Sequence, residues 1–120
     1  MKVAITSQGK DMDSEVDPRF GRARFFIVAD SETDEVAVHD NTLSLNASHG
    51  AGTQAAQAVV GLGAEAVVTG NIGPKAYAAL EAVGVKIYVG ASGSVAEALQ
   101  KFRDNQLRCA SEATAEGHWT

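Results

Sequence analysis

The sequence predicts a single α/β domain built on a mixed β-sheet. Three segments rich in β-branched and aromatic residues lie before residue 40, and alanine-rich segments then alternate with short valine-rich ones. Strands separated by helices pair in parallel through right-handed crossovers, whereas strands joined by a short turn pair antiparallel. The sheet is therefore expected to have an antiparallel hairpin on one side and a parallel part on the other, within 120 residues that fit one domain.

The first 40 residues predict three strands and one long loop. Residues 2–7 (KVAITS) have the composition of a strand, and the polar residues 8–23, which include two glycines and a proline, form a loop. Residues 24–30 (RFFIVAD) form a second strand. Turn-forming residues 31–34 then lead into a third strand at residues 35–39, so the last two strands form a hairpin.

The rest of the chain predicts three helices and two strands. Glycines end the first two helices, and Pro74 stands where the second one starts. Ser94 is a plausible N-cap of the third helix, with Glu97 completing a capping box. The predicted elements are helix 52–63, strand 65–69, helix 75–83, strand 85–89 and helix 95–103. Residues 1–107 make up the predicted domain, and residues 108–120 are expected to be a flexible C-terminal tail.

Composition excludes several classes of function. The formal net charge of −5 argues against nucleic acid as a partner, because phosphate binding requires a basic face. No apolar run approaches the roughly 20 residues that cross a bilayer. The N-terminal segment is too short and too weakly basic for a signal peptide, so a cytoplasmic location without a membrane partner is expected. Cys109 is the only cysteine, which leaves too few thiolates for an ordinary iron–sulfur cluster.

Glycine-rich turns follow two of the predicted parallel strands. Ligands of open α/β sheets bind outside the carboxyl ends of the strands. Here residues 69–73 and 89–93 run directly into helix N-termini, and residues 49–53 precede the first helix. Such turns expose backbone N–H groups near the positive end of a helix dipole. Tight turns without any ligand account for these glycines about equally well.

The loop of residues 16–23 contains two arginines that flank an aromatic residue and a glycine. Arginine presents several donors in a rigid fork and is suited to polyanions. Composition alone slightly favours a solvated loop in which Arg19 pairs with Asp17 or Asp13. A further observation is therefore needed to assign the loop a role.

Four separated motifs provide that observation. They are DPRFGRA (17–23), HGAGTQAAQ (49–57), VVTGNIGPKAYAAL (67–80) and IYVGASGSV (87–95). Through them residues 1–107 resemble the NifX-like dinitrogenase iron-molybdenum cofactor biosynthesis family. The resemblance implies a ribonuclease H-like three-layer sandwich, with three helices and a five-stranded mixed sheet in the order 3-2-1-4-5.

The same resemblance implies a non-catalytic carrier, scaffold or store for an anionic metal–sulfur cluster. One branch of the family, the orange protein of sulfate reducers, holds a molybdenum–copper sulfide cluster non-covalently, and this chain is similar to it in length. The implied cofactor is therefore a molybdenum–copper sulfide or an iron–sulfur type cluster, such as an iron-molybdenum cofactor precursor. Cluster-donor or cluster-acceptor proteins are the implied partners, in an anaerobic host. The residues to which this carries over are Arg19, Phe20, Gly21, Arg22, His49, Gly50, Gly52, Thr69, Gly70, Asn71, Ile72 and Gly73.

These residue types suit such an anion. A sulfide cluster needs cations and N–H donors more than covalent ligands, and Phe20 with Ile72 would supply a dry wall. His49 is a possible metal ligand, although a lone loop histidine is more often an exposed side chain. Cys109 and His118 could close over a cluster as soft ligands. A free thiol in the tail is the simpler interpretation of Cys109.

The residues give less support to two other functions. A nuclease or phosphotransferase of the ribonuclease H-like type uses carboxylates on the first strand to hold metal ions, and residues 2–7 contain no acid. A nucleotide-binding or regulatory module is the alternative function. Residues Gly50, Gly52 and Ala55 weakly resemble a dinucleotide turn, but no strand directly precedes them and the chain has no P-loop.

Overall fold

The sheet contains six strands in the order β3-β2-β1-β4-β5-β6, in a computed structural model that describes residues 1–42 and 50–114. No helix among these residues has the length and apolar character required to cross a membrane. The elements are β1 (Lys2–Ser7), β2 (Phe25–Asp30), β3 (Val36–Asp40), α1 (Ala51–Gly61), β4 (Ala66–Val68), α2 (Pro74–Ala82), β5 (Lys86–Val89), α3 (Val95–Arg103) and β6 (Arg108–Cys109).

The predicted order of the first five strands is confirmed, and the count of five is wrong by one. Strand β1 pairs antiparallel with β2 and parallel with β4, and β4 pairs parallel with β5. The extra strand, β6, comes from residues that were expected to be a tail. It pairs antiparallel with β5, with Cys109 opposite Tyr88 and Arg108 opposite Val89. Without β6, the backbone groups along the outer edge of β5 would be unpaired. The two residues of β6 form hydrogen bonds with part of that edge.

Helices cover both faces of the sheet. On one face α1 and α2 pack on residues that include Ala4, Phe26 and Val67. On the opposite face α3 packs on residues that include Val3 and Ile5. Because side chains alternate along a strand, neighbouring residues of β1 enter different cores. This is the predicted three-layer sandwich.

The helix starts differ in how they are capped. The predicted capping box of α3 is present: the Ser94 hydroxyl accepts a hydrogen bond from the Glu97 N–H, and Glu97 Oε1 accepts one from the Ser94 N–H, each at 3.1 Å. The hydrogen bond from the Ser94 backbone is the main cause that lowers the pKa of Glu97. Helices α1 and α2 start on Gly50 and Gly73, with no side-chain cap and no acidic residue in the first turn.

The cap of α3 gives a stability prediction. Ser94→Ala removes the acceptor of the Glu97 amide, so we expect the free energy of unfolding in urea to fall by about 1 kcal/mol. Ser92→Ala, two residues earlier at an exposed position, is the matched control and is expected to change stability by less than about 0.5 kcal/mol. Equal losses in the two variants would show that the cap does not stabilise α3.

Candidate functional site

Residues 17–22, the arginine loop, are joined to residues 69–73, the glycine turn, by backbone hydrogen bonds. The Asn71 N–H donates to the Pro18 carbonyl at 2.8 Å, and the Phe20 N–H donates to the Asn71 carbonyl at 3.2 Å. These two bonds form a short parallel bridge between Arg19 and Asn71. The arginine loop therefore extends the pairing of the sheet beyond the carboxyl ends of β1 and β4.

Two glycines make this contact possible. A Cβ atom on Gly70 would lie 2.7 Å from Pro18 Cα, and one on Gly21 would lie 2.8 Å from the backbone nitrogen of Gly52. Both distances are shorter than real Cβ contacts, so the positions require glycine for close backbone approach. Through Gly70 the arginine loop touches the glycine turn, and through Gly21 it touches the first turn of α1.

A buried hydrogen-bond network lies beneath the loop. The Asp17 N–H donates to the Thr6 carbonyl at 3.0 Å, and the Thr6 hydroxyl donates to the Asp17 carbonyl at 2.7 Å. The hydroxyl oxygens of Thr6 and Thr69 are 2.9 Å apart, and all three residues are buried. Thr69, a predicted site residue, thus supports the loop from below and does not face solvent.

Arg19 pairs with Asp17, as the solvated-loop interpretation expected. The Asp17 carboxylate accepts the Arg19 N–H at 2.9 Å and lies 3.6 Å from Arg19 Nε. The Arg19 side chain is nevertheless 48% exposed, against 3% for Asp17. Asp17 therefore holds Arg19 at its backbone and at Nε, while about half of the Arg19 side chain stays accessible. Arg22 is half-buried.

Phe20 and Ile72 are core residues. They are 2% and 0% exposed, and the Phe20 ring centroid lies 5.3 Å from that of Phe26. Both belong to the cluster between the sheet and the α1–α2 layer. Their side chains anchor the arginine loop and the glycine turn from beneath, so in this conformation they form no open wall.

The two uncapped helices both start beside the arginine loop. Gly52 in the first turn of α1 meets Gly21, and Gly73, which precedes α2, ends the turn that pairs with the loop. Gly50 has a φ of 72°, a left-handed conformation that favours glycine. Residues 1–42 and 50–114 supply no side-chain cap to either helix, and neither first turn carries an acid. The N–H groups of these turns, of which Pro74 has none, therefore keep their partial positive charge. The helix with a full cap, α3, starts at a different turn.

Two of the backbone N–H groups that were predicted to face a ligand in the glycine turn donate hydrogen bonds within the protein. The Asn71 N–H donates to Pro18, and the Ile72 N–H donates to the Thr114 hydroxyl at 2.9 Å. Thr114 is not among the predicted site residues, since nothing in the local pattern indicates a contact between residues 42 positions apart.

The remaining candidates are placed as follows. His49, like His118, lies outside the described residues. Cys109 is exposed and borders a cavity of about 370 Å³, which Asn71 and residues 108–114 also line. Over residues 1–42 and 50–114, no group of three or more His, Cys, Asp or Glu side chains is arranged to hold a metal ion.

The fold and the site together define a class: a small α/β protein with an open sheet, whose candidate site consists of arginine side chains and helix N-termini. The sequence profile described as dinitrogenase iron-molybdenum cofactor matches residues 1–105. The chain belongs to this family, as the four motifs indicated.

Three relatives, two of them with solved structures, match most of the chain. The apo form of the orange protein from Desulfovibrio gigas superposes with a TM-score of 0.93 at 41% identity, over 95% of this chain and 96% of that one. A putative NifB protein from Thermotoga gives a TM-score of 0.83 at 38% identity, over 95% and 97%. An uncharacterized protein of Methanocaldococcus jannaschii is 30% identical over 110 residues, 89% of each chain.

The close approach at Gly70 is testable. Gly70→Ala places a methyl group against the Pro18 backbone, so we expect a loss of about 1–3 kcal/mol in the free energy of unfolding. Gly61→Ala is the control, because Gly61 ends α1 with nothing within 4 Å of the added carbon. It should leave stability unchanged or raise it by up to about 1 kcal/mol. A Gly70→Ala protein as stable as the wild type in urea would contradict the contact between loop and turn.

Proposed function

We propose that this protein is a non-catalytic carrier, scaffold or store for an anionic metal–sulfur cluster, held non-covalently between the arginine loop and the starts of α1 and α2. Family membership supports a role connected with iron-molybdenum cofactor. The similarity to the orange protein supports a bound group, because that protein was solved in a form named apo. A molybdenum–copper sulfide cluster or an iron–sulfur precursor is the cargo that fits.

One observation carries the proposal: the arginine loop meets two helix N-termini to which the described part of the chain supplies no side-chain cap. A sulfide-rich anion offers only acceptors, so it is stabilised by guanidinium and amide donors. The charge-assisted hydrogen bonds that result are stronger than neutral ones, and helix dipoles add to them. An anion at this edge would satisfy the amides of α1 and α2 in place of the missing caps.

The small number of thiolate ligands in the chain favours non-covalent binding of the cluster. The chain has a single thiol, that of Cys109, whereas thiolate-anchored clusters use three or four. With one potential thiolate, most of the binding free energy has to come from electrostatic attraction and hydrogen bonds. Although the net charge is −5, Arg19, Arg22 and Arg24 lie within six residues, and Arg19, while paired with Asp17, keeps about half of its side chain exposed.

Reconstitution tests the function directly. The purified protein is incubated anaerobically with tetrathiomolybdate and Cu(I), and separately with iron and sulfide, and is then separated by gel filtration. We expect at least one mixture to give protein that retains colour and metal, measured by absorbance and metal analysis. Protein that stays colourless and metal-free in both mixtures would contradict the proposal. Stabilisation by nucleotides in thermal-shift titration, with no cluster retained, would favour the nucleotide-binding alternative.

The position of the site is tested by charge reversal. Arg19→Glu with Arg22→Glu removes two cations from the arginine loop, so we expect cluster affinity to fall by about tenfold or more with an unchanged circular dichroism spectrum.

The matched control is Lys86→Glu with Lys101→Glu, which changes the net charge equally. Lys86 starts β5 at the opposite end of the sheet, and Lys101 lies in α3. This control should retain the cluster. Equal losses in the two double variants would show that total charge, and not the arginine loop, determines binding.

A further inference from the structure

Strand β3 forms an edge of the sheet that lacks the usual protection against pairing. Among residues 1–42 and 50–114, β3 pairs only with β2, in a continuous register from Val36 to Asp40. Natural proteins keep strand edges from pairing with lysine, proline or a bulge, or by making the edge strand very short. The opposite edge strand, β6, has only two residues. Strand β3 has five, and residues 35–40 contain no lysine, proline or glycine.

The backbone groups of β3 point alternately to β2 and to the open edge. Just past the end of β3, the Asn41 N–H donates to the Arg24 carbonyl at 2.9 Å. In an antiparallel pair this orientation repeats every second residue, so residues 37 and 39 also face β2. The N–H and C=O groups of Val36 and Val38 therefore point away from β2, where another strand can pair with them.

The same two residues carry exposed apolar side chains. Val36 is 46% exposed and Val38 is 44% exposed. Both lie on the α3 face of the sheet, because their partners on β2, Ala29 and Ile27, belong to the core on that face. A strand that pairs at this edge would gain backbone hydrogen bonds and would bury both valines.

The sequence of β3 is complementary to itself in one antiparallel register. When two copies pair about a twofold axis at Ala37, Val36 of each copy lies opposite Val38 of the other. These residues then form hydrogen-bonded pairs, because their backbone groups point outward. Moving the axis to Val38 would instead place Val36 opposite the carboxylate of Asp40.

Charged and polar side chains fit the same register. Glu35 of each copy lies opposite His39 of the other, and an imidazole N–H donates to a carboxylate whether or not the ring is charged. The register also places Asp34 opposite Asp40. The Arg103 guanidinium, which is hydrogen-bonded to Asp34, offsets that repulsion.

We propose that a second copy of this chain binds at β3, so that the two sheets join antiparallel about a twofold axis at Ala37. The contact consists of one five-residue strand edge from each copy, so the dimer is weak and reversible. Strand β3 ends beside the arginine loop, since the Asn41 side chain donates to the Ala23 carbonyl at 2.8 Å. Antiparallel pairing therefore places the two candidate sites at opposite ends of the paired strands. The inference does not depend on the proposed function.

Sedimentation velocity tests the association. We expect wild-type protein to shift from monomer towards dimer between about 10 µM and about 500 µM. Val38→Lys introduces the residue that natural edges use against pairing, so dimer affinity should fall by about tenfold or more. Val83→Lys is the matched control, because Val83 is an exposed valine at the end of α2 and the charge change is equal. It should associate like the wild type.

Two outcomes of this experiment would overturn the proposal. One is wild-type protein that stays monomeric at every concentration, as it would if another segment of the chain or a different protein occupied this edge. The other is an equal loss of association in the two lysine variants.

Cross-linking tests the register. In a Cys109→Ser background, Ala37→Cys places two thiols opposite each other with Cα atoms about 4.5 Å apart, within the range of a disulfide. With oxidised glutathione we expect a covalent dimer on non-reducing gels. Val38→Cys in the same background is the control, because its two Cα atoms would be more than about 7 Å apart. Cross-linking of Val38→Cys that equals or exceeds that of Ala37→Cys would contradict the axis at Ala37.

Discussion

The candidate site depends on the parallel bridge between the arginine loop and the glycine turn. Without it, Arg19 and Arg22 would belong to a long polar connection between β1 and β2, and fixing them around a ligand would cost conformational entropy at the moment of binding. Because the bridge forms when the protein folds, this conformational entropy is lost during folding and not on binding. The buried hydroxyls of Thr6 and Thr69 and the side chains of Phe20 and Ile72 secure it from below.

The three helices differ in how their N-termini are capped, and the difference matches their position relative to the candidate site. A side-chain cap is worth about 1 kcal/mol, and α3 has a complete capping box. Helices α1 and α2, which start beside the arginine loop, have glycine N-caps, which stabilise a helix by only about a few tenths of a kcal/mol less but offer no side-chain acceptor to the first amides. Local rules of stability tend to be broken at functional sites, where a ligand provides the missing interaction. This pattern supports the proposed anion site at this edge.

The sequence by itself determined the five main strands, the three helices and their order, all within about two residues at each end. It did so because strand composition, glycine and proline positions and the Ser94–Glu97 capping box are local, and crossover handedness then restricts the topology. The four motifs were likewise enough to identify the family, and the first three contain the segments that meet at the candidate site.

Only the tertiary structure decided how those segments fit together. Two residues of β6 carry no periodicity, and the bonds from Ile72 to Thr114 and from Asn71 to Pro18 join positions far apart in the chain. Residue type could not show that Phe20 and Ile72 would be buried, or that Asp17 and not Asp13 would be the partner of Arg19. Such outcomes depend on which backbones approach closely, and that is fixed by packing across the whole domain.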